Sequence, residues 1–155
     1  MGIALSTAGV TMGYAVEATA GTRPTTGYIL IPDLKEIPEM NPEPENLETT
    51  VLSETEYKTY ITGLKDLGGA LAFLANHTED LEAKWAALVA AYKAAAEEGK
   101  AVWFEIKHPA LEKAVFFTGQ PSAMGLPAMG VNAVLETNLY ITPTNAPIWE
   151  TKTAA

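Results

Sequence analysis

No cysteine occurs in the 155 residues, which excludes disulfides, thiolate nucleophiles and thiolate metal ligands and fits a reducing compartment. Histidine is nearly as scarce. His77 precedes a helix cap and His108 precedes Pro109, so both read as solvated loop residues rather than general bases, and the paired spacing of a zinc site is missing. Neither Gly-x-Gly-x-x-Gly nor Gly-Lys-Ser/Thr is present to cradle a phosphate. The stretch Asn41 to Glu48 lacks the spacing of a calcium loop and reads as a solvated acidic turn. Carboxylate pairs can be drawn from Glu105, Glu112 and Glu136, but any chain this acidic offers such pairs, and they read as strand and turn positions. No enzyme, metal or cofactor is expected. No run approaches the roughly 18 apolar residues of a membrane span.

Positive charge is short too. Ten Lys and Arg against 19 Asp and Glu leave a net charge of −9, which repels a phosphate backbone and disfavours specific nucleic-acid binding. No Lys or Arg precedes Arg23, and Thr7, Thr11, Gly13 and Glu17 interrupt the opening, so a secretory leader is not expected despite the small residues Ala18-Thr19-Ala20. The myristoylation-like start Met1-Gly2 is set aside on the same reading.

What remains is mostly strand. Val10, Met12, Tyr14 and Val16 alternate, and Glu17 to Gly27 reads as loop. From Tyr28 to Met40, Pro32 and Pro38 keep the chain extended at an edge or bulge, and a stiff acidic turn, Asn41 to Glu45, follows. Strands are predicted at Glu48 to Ser53, Ala70 to Ala75, Val102 to Lys107, Val115 to Thr118 and, as the longest, Val131 to Thr142, with a loop or bulged connection at Gly119 to Gly130.

One helix is clear. Thr78 is a capping residue, Glu79, Asp80 and Glu82 favour the positive end of the dipole, and Gly99 closes the far end. Glu97 and Glu98 oppose the dipole there and predict fraying. Leu81, Trp85, Leu88 and Tyr92, with Val89 beside them, form an apolar stripe. The pattern gives a single domain, mainly β with one α-helix, built as an antiparallel β-sandwich or half-barrel flanked by that helix.

Between these elements lies a polar connection with aromatics: Glu48 to Ser53, then Tyr57, Tyr60 and Ile61, then the turn Gly63-Leu64-Lys65-Asp66-Leu67-Gly68, then the strand running to Asn76. In that order, and with Tyr28 to Pro32, Phe116 to Gly119 and the late strand, the chain resembles the tail tube (major tail) proteins of long-tailed bacteriophages. The opening differs, being uncharged and rich in Ala and Thr where that family is often basic or glycine-rich.

The resemblance implies a β-sandwich flanked by a helix, copies closing into rings of six, and rings stacking into a virion tail tube through which DNA passes non-specifically. It implies assembly in the host cytoplasm with further copies of itself, a tape measure protein and terminator or tip proteins, and no membrane. On this reading 1–27 is an extended arm and 53–66 an interaction loop, with Tyr57, Tyr60, Ile61, Leu64 and Asp66 at subunit contacts. Glu105, Asn132, Glu136 and Asn138 are the candidates for lining the bore. Two other readings fit the same pattern: a secretion-system tube subunit, and a carbohydrate- or peptide-binding β-sandwich using Trp103, Tyr140 and Trp149 as stacking groups.

Overall fold

Alternation along the middle of the chain sets the plan of the sheet. In the computed structural model, which describes residues 3–40, 44–65 and 69–153, the strands are β1 (Thr11–Val16), β2 (Ile29–Leu30), β3 (Leu34–Glu36), β4 (Pro44–Glu48), β5 (Tyr60–Lys65), β6 (Leu71–Asn76), β7 (Val102–Lys107), β8 (Lys113–Pro121), β9 (Glu136–Pro143) and β10 (Ile148–Thr151). The helix α1 spans Glu79–Glu97, and the fold is mainly β with this one helix among the described residues. Two compact units result, Met1–Pro38 with Ala70–Ala155, and Glu39–Gly69.

The larger unit is an antiparallel half-barrel of order β2-β1-β7-β8-β9-β6-β3, against which the helix packs on β1 and β8. β2 and β3 end the sheet on opposite sides, yet only Ile31, Pro32 and Asp33 separate them in the chain. Asp33 takes a left-handed φ of 63°, a conformation Asp tolerates better than most residues. Ile31 N–H donates to the Met12 carbonyl and Asn76 N–H to the Asp33 carbonyl, so both ends of the sheet are held to this corner. The prolines thus sit at an edge, as their missing donors require.

Inside, Met12, Tyr14, Val102, Phe104, Phe117, Phe73, Leu139 and Ile141 are buried, with Phe104 and Phe117 stacked at 5.2 Å between ring centroids. Gly119 is required there, since a Cβ would lie 2.5 Å from Ile141 Cγ2. The opposite face of β7 and β8 is covered as well. Phe116 and Ala114 are fully buried, with the Arg23 guanidinium 4.2 Å above the Phe116 ring and Tyr28 tilted against it.

The helix follows its sequence signals closely. The Thr78 hydroxyl accepts from Leu81 N–H at 3.1 Å, and Leu81, Trp85, Leu88 and Ala95 are buried. Its C-terminus is closed rather than frayed: Gly99, at φ 72°, donates to the Ala96 carbonyl and Lys100 N–H to that of Ala95, while Lys100 Nζ reaches Glu98 at 2.9 Å.

Strand boundaries depart from the sequence reading in several places, β8 among them, which runs from Lys113 through Gly119 to Pro121 where a loop was expected from Gly119. The strand expected at Glu48 to Ser53 lies earlier, at Pro44–Glu48, because it pairs with β5 through Leu47↔Ile61 and Glu48↔Tyr60. Gly63, Leu64 and Lys65, read as a turn, continue β5. The long strand starts at Glu136 rather than Val131, since β6 supplies partners only from Glu136 to Ile141, and Asn132 has a left-handed φ of 57°. The residues 41–43 and 66–68 of the two expected turns lie outside the described residues.

Candidate functional site

The smaller unit is a two-stranded ribbon, β4 paired with β5, carrying the loop 49–59. Such a ribbon alone is marginal in water. Its loop is organised by its own polar groups: Thr49 N–H donates to the Thr59 carbonyl at 2.7 Å and Thr59 N–H to the Thr50 hydroxyl at 2.8 Å. The Glu54 carboxylate accepts from the backbone of Thr55, Glu56 and Tyr57, and the donors at Glu56, Tyr57 and Thr55 hold its pKa below the usual value.

The loop tip, tied by these bonds, presents apolar groups to solvent. Val51, Tyr57, Tyr60, Ile61 and Leu47 are exposed, and Leu52 is as open as in an extended chain, at 106%. The ribbon is also acidic: Glu39, Glu43, Glu45, Glu48, Glu54, Glu56 and Asp66 are offset only by Lys58 and Lys65, so five of the nine net negative charges lie in Glu39–Gly69. Of the contact candidates, Tyr57, Tyr60 and Ile61 belong to this exposed surface; Leu64 is described through its β5 backbone alone, and Asp66 lies outside the described residues.

The bore candidates separate. Glu105 is 1% exposed and therefore does not present a surface carboxylate: it accepts from Thr153 N–H at 2.9 Å and the Thr153 hydroxyl at 2.7 Å, and pairs with Lys107 Nζ at 3.5 Å. Asn132 is exposed but sits in the 122–135 loop, off the strand that was to place it. Asn138 is exposed on the outer face of β9, and Glu136 on the same face pairs with Lys35 at 3.0 Å.

A groove lies within the larger unit, between α1 and the 122–135 loop. Its volume is about 770 Å³, and its walls include Trp85, Ala86, Val89 and Ala90 from the helix and Met124, Leu126, Met129 and Leu135 from the loop. Both loop ends are pinned, by the Trp85 indole donating to the Ser122 carbonyl at 2.8 Å and by His77 N–H donating to the Leu135 carbonyl at 2.9 Å. Sequence reasoning missed this groove, although the alanine-rich helix face was a signal for it.

Neither histidine is free in the way the sequence suggested. His77 is largely buried and its Nε2 meets Glu82 Oε1 at 2.5 Å, and His108 Nδ1 accepts from Ala110 N–H at 3.1 Å. Trp103 is half-buried and donates its indole N–H to Glu17 at 2.8 Å, which removes it from the stacking candidates, whereas Tyr140 and Trp149 are exposed. Among the described residues no cluster of three or more His, Asp or Glu is placed to hold a metal ion, and no helix is long and apolar enough to cross a membrane.

No protein-family model and no curated protein sequence matches the chain. In structure it is similar to a chain in the six-fold symmetrised cryo-EM structure of the anti-feeding prophage (AFP) baseplate, with a TM-score of 0.58 and 11% identity, covering 97% of this chain and 98% of that one. At that identity the likeness is one of fold.

Proposed function

We propose that this chain is a structural subunit of a phage-tail-like assembly, whose copies close into rings that stack as a tube. The observation that carries the proposal is the ribbon of β4 and β5, whose strands and connecting loop leave Leu52, Tyr57, Tyr60 and Ile61 in water. Apolar groups held in place at such a tip gain free energy only on meeting another surface, and aromatic residues are enriched among the anchors of such contacts. The whole-length likeness in fold to a baseplate chain supports the same direction. Ring stacking would use the ribbon together with the part of the 1–27 segment that precedes β1.

Glu136 and Asn138 remain the candidates for a polar bore, and an acidic or neutral lining would let DNA slide without releasing counterions. Partners would be further copies of the chain, with length-setting and terminating proteins at the ends. A secretion-system tube subunit is the second reading, and the neighbouring genes separate the two.

The test is the double substitution Leu52→Ser with Tyr57→Ser. Because both side chains are exposed, the protein is expected to fold and melt as the parent does, yet to stay monomeric at concentrations where the parent forms tubes by negative-stain microscopy. Tubes of normal length from the double variant would refute the role of the ribbon. A carbohydrate- or peptide-binding module, the reading that exposed Trp149 and Tyr140 would serve, would show a monomeric parent under the same conditions.

A further inference from the structure

We propose that the groove between α1 and the 122–135 loop is the receptor for the ribbon tip of a second copy of this chain, an inference that rests on the self-assembly reading above. The groove is mostly apolar, with His77, Glu82 and Lys93 among its lining, and of ligand-pocket size, about 770 Å³. Ala86 and Ala90 leave room over the helix that larger residues would occupy, and Met124 and Met129 on the facing wall adapt to an incoming shape. The pinned loop ends at Ser122 and Leu135 keep the walls apart.

The tip matches this receptor in two respects. It offers Val51, Leu52 and Tyr57 as exposed apolar groups to a slot lined by Trp85, Val89, Leu126 and Met129. It also matches in charge. Glu54 Oε1 is taken up by backbone donors, and Glu56 has no ion-pair partner among the described residues. On the groove rim Glu82 meets His77, whereas Lys93 has no ion-pair partner among the described residues.

Tip and groove are different surfaces, so the contact is head-to-tail. Such contacts do not stop at a dimer but continue into rings or filaments. An open-ended assembly follows from the same pairing that hides both apolar surfaces.

The absence of cysteine makes the test clean. Leu52→Cys and Ala90→Cys, both exposed positions, are prepared as separate variants, shown by circular dichroism melting to fold as the parent does, and mixed under assembly conditions with a short bis-maleimide. A cross-linked heterodimer is expected, and a ladder of oligomers from the double variant. Lys93→Glu is expected to lower the yield about tenfold, and Glu56→Lys in the same chain to restore it. Tubes by microscopy without any cross-link would overturn the groove while leaving the tube reading intact. A double variant linked only within single chains would overturn the second copy as occupant, and a parent that never assembles would remove both proposals.

Discussion

At the scale of single residues, Glu17 shows how a loop is locked to a sheet. Its side chain accepts from Trp103 Nε1 and Ala101 N–H, each at 2.8 Å, and from Gly21 N–H at 3.1 Å. Burial alone would raise its pKa, but the three donors outweigh burial and hold it below 4.5. A depressed carboxylate stabilises the fold above its unfolded value and loses that contribution as pH falls through the folded value. Glu17→Gln is therefore expected to cost about 2 kcal/mol at neutral pH, with the gap to the parent closing below pH 4.5, as checked by urea unfolding across pH. Tyr28 behaves oppositely. Burial pushes its phenol up to about 12, with nearby Arg23 opposing and Glu105 adding to the shift. Thr78 and Gly99 were legible in the sequence because a cap is decided within a few residues. Glu105 was not, because its cover comes from Thr153, 48 positions away.

At the scale of elements, the helix was readable and the ribbon was not. Period and caps specify α1 locally, whereas β4 and β5 take their register from each other across a loop, with a shift between Pro44 and Asn46. Val131 to Leu135 alternates as a strand should, but β6 ends its pairing with β9 at Asn76↔Glu136, so the pattern finds no partner beyond. β10 escaped notice for the same reason: it exists only because β8 continues past its pairing with β9. The cap allows a local test. Thr78 both accepts from Leu81 and donates to Asp33 Oδ2 at 2.6 Å, joining the helix start to the corner of the sheet. Thr78→Ala is expected to cost about 1 kcal/mol and lower the melting temperature by about 3 °C by calorimetry.

At the scale of the molecule, the half-barrel with one helix was foreseen from alternation and a single amphipathic stripe, while the covered second face of β7 and β8 was not. That face decides where the carboxylates are: Glu105, chosen for a bore, is instead the anchor of the C-terminal segment. Thr153 bonds it twice, and Lys152 donates its N–H to the Glu112 carbonyl. Shortening the chain to Thr151 is expected to strip two donors from a buried anion and to lower stability by about 3 kcal/mol in denaturant unfolding, far more than two small contacts at a tail suggest. A pull on the residues that follow β10 is therefore transmitted directly to a carboxylate that the sheet has shut away from solvent.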